Sequence, residues 1–290
     1  MDAAQSVFLS GIVLGSLYAM MATGLSLVWT TLGIFNFAHG IFMALGALIA
    51  WQLGNDLGWG LGPAAGLALG IAALIGIGFV AELILVRPFL ARRDVVLIAV
   101  ITTLSASIFF ENGTLLIWGA RYKQLDPLIE GKVGLLSTAI SAHEVLIIAI
   151  APLTLIALWL FLKFTRLGSA IRAVSQNRES ALLMGMNVPL LYSSAFALSA
   201  GLAGLSGILL GSIRLITPAL GNEPLVKSLI VAIFGGLGSL GGTIGAAYVI
   251  GLMEALGVFF IGLYWTPALL FGVMIVVLLV RPTGLFGRKG

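Results

Sequence analysis

No cysteine occurs in the 290 residues, which excludes disulfides and thiolate metal sites while leaving the redox compartment open. Charge is scarce too: Asp, Glu, Lys and Arg make up 9% of the chain, against about 25% in ordinary globular domains. Histidine is limited to His39 and His143, and without an H-E-x-x-H pattern there is no basis for zinc hydrolase chemistry. A Ser–His pair such as Ser10 with His39 is positioned by nothing in the pattern. No G-x-x-x-x-G-K-[ST] occurs, and the glycine run from Gly235 to Gly242 has no lysine for a phosphate, so the chain carries no nucleotide site of that type. The opening "MDAAQSVFLSG" lacks the basic flank of a secretory signal peptide, so the first apolar run is expected to be retained.

What the chain has instead is apolar length. Hydrophobic residues make up 60% of it, and windows of about 20 mostly apolar residues, enough to cross a bilayer, recur along it. Reading them between charged or turn-rich punctuation predicts spans at residues 7–30, 34–54, 62–86, 95–118, 144–162, 190–212, 243–262 and 266–280. A shorter element near 225–237 brings the count to eight or nine. Backbone amides in lipid must bond internally, and the ten-residue alternation of a barrel strand is absent, so the spans are read as helices. The expected fold is an all-α polytopic membrane protein forming one transmembrane domain over residues 1–290. Most of the 38 glycines, such as Gly201, Gly204 and Gly207, or Gly241, Gly245 and Gly251, are read as small-residue contacts between helices.

The net charge of +4 is read as topology and gives no reason to invoke nucleic acid. Ten of the 15 basic residues lie in three connections: Arg87, Arg92 and Arg93; Lys163, Arg166, Arg172 and Arg178; Arg281, Arg288 and Lys289. These belong on the cytoplasmic side. The other five, Arg121, Lys123, Lys132, Arg214 and Lys227, sit beside Asp56, Glu111, Asp126, Glu130, Glu144 and Glu223, and those connections are placed outside. Alternation then favours nine crossings with an external N-terminus, unless the uncharged "TTLGIFNFAHG" (Thr30 to Gly40) is a broken or re-entrant helix.

Polar groups inside spans are costly, and each has a bland and a functional reading. Asn36 and His39, followed by Gly40, either bond across helices and set packing, or mark a broken helix whose freed backbone meets an amino-acid carboxylate or ammonium. Glu82 lies five residues before Arg87 and is expected to snorkel or pair there. Glu254 lies mid-span and needs a partner or a wet cavity, with Arg214 a conceivable partner. Thr102, Thr103, Ser105 and Ser107 either line a path or bond back to their own helix.

One inside segment is not a span. "RLGSAIRAVSQNRESALLMGMNV", Arg166 to Val188, is short and charged. Read as one helix, it places Arg172, Gln176, Glu179 and Ser180 on one face, with Ala170, Ala173, Val174 and Ala181 near another. It either lies on anionic lipid or docks a cytoplasmic partner. For docking, Gly168, Ala170, Ala173, Ala181 and Gly185 permit close approach, while Arg166, Arg172 and Arg178 meet acidic groups.

Within it, "ESALLMG", Glu179 to Gly185, resembles the signature of ABC importer permeases, with Ser180 where alanine is usual. "GLSLVWTTLGIFNFAHGIFMALGA" (from Gly24), "FALSAGLAGLSGILLG" (from Phe196), "FGGLGSLGGTIGAAYVIG" (from Phe234) and "RPTGLFG" (from Arg281) extend the likeness over most of the chain. Together they resemble the branched-chain amino acid ABC transporter permease family, in particular the first of its two permease subunits. The isoleucine and leucine-proline that continue the wider importer signature are not evident here.

The resemblance implies an ABC importer transmembrane domain in the bacterial inner membrane, embedded in the lipid bilayer and paired with a second homologous permease. Two cytoplasmic ATPase subunits would consume the ATP, a periplasmic substrate-binding protein would deliver the amino acid, and this chain would bind no cofactor. Residues 163–189 become the coupling segment, with Arg166, Gly168, Arg172, Ala173, Glu179, Ala181 and Gly185 as ATPase-coupling candidates. Asn36, His39, Gly40, Thr102 and Glu254 are the translocation-path candidates. Leucine, isoleucine and valine are the default cargo, with urea, short amides or other amino acids as alternatives. A proton-coupled secondary transporter relaying through His39, Glu82 or Glu254 leaves residues 166–188 unexplained.

Overall fold

A computed structural model describes residues 2–55, 59–90, 92–135 and 138–287; Asp56, Arg288 and Lys289, used above for orientation, lie outside them. Among the described residues the chain forms eleven α-helices, one short 3₁₀ turn and a small hairpin. In chain order the helices are α1 (Asp2–Leu32), α2 (His39–Gly54), α3 (Pro63–Leu85), α4 (Val95–Trp118), α5 (Ala142–Phe164), α6 (Arg166–Gln176), α7 (Arg178–Leu183), α8 (Val188–Gly211), α9 (Asn222–Gly235), α10 (Leu240–Ile261) and α11 (Thr266–Val280). Strands β1 (Lys132–Leu135) and β2 (Thr138–Ser141) pair antiparallel between α4 and α5, in a stretch that the sequence reading left as an external connection.

Local chemistry sets many of these ends. Proline stands in the first turn of α3, α8 and α11, where its missing N–H costs nothing. Ser141 and Glu144 close a capping box at the start of α5, and this satisfies two otherwise orphaned amides. Six helices are long and apolar enough to cross a membrane: α1, α3, α4, α5, α8 and α10. Helices α2 and α11, of 16 and 15 residues, are shorter apolar elements, and α9 has 14. The apolar windows read from the sequence fall on these nine helices, of which six have the length and composition of a full span.

Helices α1 and α8 form the centre, each with 89% of its apolar window buried. Helix α1 lies along α10, and α8 packs against α2, α3 and α1. Close backbone approach explains the glycines here: a Cβ on Gly207 would meet the Met43 carbonyl, and one on Gly251 would meet the backbone of Gly15. In a membrane, where apolar side chains are equally content in lipid, such small-residue contacts drive association. The outer helices turn apolar side chains outward, with Phe109 72% and Leu116 88% exposed on α4. Apolar surface of that extent requires lipid or another apolar surface to cover it.

The segment after α1 is a break. Gly33 takes φ 71°, the chain stays non-helical to Ala38, and α2 resumes at His39. Since the His39 ring meets the Met21 carbonyl, α2 begins eleven residues, or about 16 Å at 1.5 Å per residue, back along α1. The span expected from residue 34 thus starts at residue 39, and "TTLGIFNFAHG" is the broken element.

Candidate functional site

Two polar crevices lie at opposite ends of α10. The last turns of α1, the start of α10 and α6 share a crevice lined by Leu27, Thr31, Ile171, Arg172 and Leu240. The other end of α10 adjoins Glu254, Leu263 and Tyr264.

At the first end, the segment expected as one helix is two. Asn177 ends α6 and its side chain accepts from the Ser180 amide to start α7, the usual role of Asn at a helix N-terminus. The face expected from one continuous helix is correspondingly corrected. Ile171, Val174 and Ala181 turn inward, Ala170 and Ala173 are half-buried, and Arg166, Arg172, Gln176, Glu179 and Ser180 are exposed. Gly168 is buried, and a Cβ there would meet the backbone of Phe161 and Leu162. It therefore seats α6 against the end of α5. Thr165 links the two helices, accepting from the Gly168 amide at 2.9 Å. Arg178 lies over the Tyr192 ring, which ties α7 to α8.

The tip of α7 is bare. Leu183 is 89% and Met184 78% exposed, and Gly185 takes φ 77° with open space around it. An apolar tip on an element that also exposes Arg166, Arg172 and Glu179 has the composition of a contact surface, which combines apolar and charged residues.

Within the bundle, the candidates separate into distinct local arrangements. His39 is fully buried, with Nε2 3.0 Å from the Met21 carbonyl and Nδ1 3.3 Å from the Ser199 hydroxyl. A ring donating from Nε2 and accepting from Ser199 bonds at both nitrogens and pins the start of α2 to α1 and α8. Asn36 Oδ1 accepts from the Ala38 amide at 3.0 Å, and the Phe37 amide donates to Thr103 Oγ1 at 3.1 Å. Thr103, not Thr102, thus supports the break; Thr102 donates to the Leu85 carbonyl at 2.9 Å and fastens α4 to α3. Gly40 and Gly221 meet backbone to backbone, so the first turns of α2 and α9 touch.

Glu254 has a different partner from the one considered in the sequence. Lys227, placed there in an external loop, lies in α9 at 6% exposure and donates to Glu254 Oε1 at 2.6 Å. Tyr18 donates to Oε2 at 2.7 Å. Arg214 instead faces Glu223 at 3.5 Å, and Glu223 also holds Lys227 at 2.5 Å. The error has a physical source: α9 starts at Asn222, three residues before the apolar run. The overlooked signal was Glu223 and Lys227 at i, i+4, a helix-compatible ion pair. Glu82, also fully buried, pairs with Arg87 at 3.2 Å and accepts from the Ser193 hydroxyl. Arg87 in turn reaches the Pro189 carbonyl at 3.1 Å.

Long apolar helices, a glycine-packed centre and a charged helical element with a bare tip at one end define a polytopic helical membrane protein. The chain matches the family described as branched-chain amino acid transport system / permease component over residues 7–279, and it belongs to that family. It is 32% identical to the high-affinity branched-chain amino acid transport system permease protein LivH of Escherichia coli (strain K12), over 98% of this chain and 95% of that one. It is 31% identical to the permease protein BraD of Pseudomonas aeruginosa, described by the same system, over 96% of this chain and 94% of that one. The probable branched-chain amino acid transport permease protein LivH of Methanocaldococcus jannaschii is 28% identical over 99% of this chain and 94% of that one. No solved structure matches.

Proposed function

We propose that this chain is the permease subunit of an ATP-driven importer that carries branched-chain or other hydrophobic amino acids into the cytoplasm. The observation that carries the reading is family membership across residues 7–279, in a chain whose α6 and α7 pack on one end of the apolar bundle and leave an exposed tip. Leu183, Met184 and Gly185 form the contact with a cytoplasmic ATPase, with Arg166, Arg172 and Glu179 at its rim. Gly168, Ile171 and Ala181 hold the element to α5 and α8, with Ala173 beside them on α6, so force applied at the tip reaches the bundle.

In this reading α6 and α7 are cytoplasmic, the chain crosses the inner membrane nine times with α2 and α9 as partial crossings, and the N-terminus is external. A second homologous permease covers part of the exposed apolar surface, two ATPase subunits consume the ATP, and a periplasmic binding protein delivers the cargo. This chain binds no cofactor and performs no hydrolysis itself. Asn36, His39 and Gly40 shape the broken helix beside the path, and Glu254 acts through its contact with Lys227. Closed partners at His39, Glu82 and Glu254 favour ATP drive over a proton relay, since a relay needs groups that can exchange protons along a path.

Purification of the tagged chain from its native membranes in mild detergent tests the assignment. Copurification of an ATPase and a second permease is expected, followed by leucine, isoleucine or valine competing for uptake in the reassembled system. Competition by urea or short amides alone would move the cargo to that class. A chain that purifies alone and drives uptake from an ion gradient would overturn the reading.

A further inference from the structure

At the end of the bundle opposite α6 and α7, a pocket of about 370 Å³ opens between α9, α10 and α11. Its size falls within the range of small-molecule sites, about 300–1,000 Å³. One side is charged in both senses by Arg214, Glu223, Lys227 and Glu254; the other is formed chiefly by Leu263, Tyr264 and Pro267. The charges form two layers. Lys227 and Glu254 make a tight pair at 2.6 Å, with side chains 7% and 3% exposed, and Tyr18 holds the second carboxylate oxygen. This layer is a fixed floor, because separating it would strand a buried charge.

The rim is loose by comparison. Arg214 and Glu223 stand 3.5 Å apart with side chains 44% and 53% exposed, and an exposed pair of this kind contributes little to stability. Little is therefore lost when a third body comes between them, and a guanidinium offers a planar fork to a carboxylate. Glu223 is steadied from below by Lys227, so it remains oriented after Arg214 turns away. A molecule carrying one carboxylate, one ammonium and an apolar tail matches all three surfaces.

We propose that this pocket binds the transported amino acid as its zwitterion before it passes into the bundle. Arg214 takes the α-carboxylate, Glu223 takes the ammonium, and Leu263, Tyr264 and Pro267 cover the aliphatic side chain. The proposal rests on the importer reading above, which places this end on the side from which cargo arrives. An exposed rim over a fixed floor gives weak, reversible binding, as a transit site must.

The test is equilibrium binding of radiolabelled leucine to the complex that copurifies with the tagged chain, in lipid discs without its delivery protein. Unlabelled leucine, leucinamide and 4-methylpentanoate serve as displacers. Saturable leucine binding is expected, with each single-charge analogue at least tenfold weaker. Arg214→Gln and Glu223→Gln should each weaken leucine binding at least tenfold while partner subunits still copurify. Absence of saturable binding to a complex that imports leucine with its delivery protein would overturn the pocket and leave the importer reading standing. Equal displacement by the analogues, or unchanged binding in both variants, would do the same. A complex that imports no branched-chain or other hydrophobic amino acid would bring down both.

Discussion

Glu82 and Glu254 are the two carboxylates buried in long apolar helices, and they are neutralised in opposite ways. Glu82 meets Arg87, five residues further along the same connection, near a helix end where the arginine side chain is 35% exposed. Glu254 meets Lys227 from a different helix, 27 residues away, with both side chains almost wholly enclosed. A carboxylate near a helix end can borrow its counter-charge from the adjoining loop. One in mid-span requires a partner carried on a second helix, so its pair is also a constraint on tertiary structure. Buried pairs are worth little against apolar replacements but cost much when halved.

That contrast is best broken at Lys227. Lys227→Met leaves Glu254 with Tyr18 alone and is expected to destabilise the folded chain by about 3–5 kcal/mol, read as earlier thermal aggregation in detergent. Adding Glu254→Met should recover most of the loss; no recovery would mean that the pair is not what the single change disrupts. His39→Ala removes both ring contacts and leaves buried polar groups unpaired, so a loss of about 2–3 kcal/mol is expected, with reduced uptake and a retained complex. Wild-type uptake in that variant would confine His39 to packing. For Arg87→Met the expected loss is only about 1–3 kcal/mol, since Ser193 still donates to Glu82 and the Arg87 side chain is itself 35% exposed. A loss as large as that of Lys227→Met would erase the distinction drawn between the two pairs.

The smallest effect on the fold, near zero, is expected at the α7 tip. Met184→Asp should insert and fold normally, since Met184 is 78% exposed, yet lose the ATPase on purification. Unchanged copurification would remove the docking role from the tip. Leu183→Cys, in a chain without other thiols, should be labelled from the cytoplasmic side; labelling only from the periplasm would reverse the orientation.

The pattern of what was legible follows the same logic of locality. The expected span 95–118 coincides with α4 and 266–280 with α11, because an apolar run between charges directly marks how far lipid can extend. The break after Thr30 was readable as a possibility from its lack of charge. The Glu82–Arg87 pair was readable from spacing. The partner of Glu254 was not, since nothing local in "VKSLIVAIFG" says which helix α9 will face. The paired strands 132–135 and 138–141 were hidden in a polar connection, and the division of α6 from α7 was missed by reading past Asn177, although its capping preference was available. Thr103 outranks Thr102 at the break only because of the rotation of α4, which has too weak an amphipathic pattern to reveal it.

Helix α1 sets a mechanical limit on the whole subunit. Its 31 residues make a rod of about 46 Å, uninterrupted by proline, whose last turns lie against α6 and whose Tyr18 holds Glu254. A stiff rod transmits thrust and tilt along its axis with little bending. Any displacement of α6 large enough to move α1 must therefore arrive at Tyr18 within the same stroke. The charged floor is joined to the α6 end of the bundle by a single shaft.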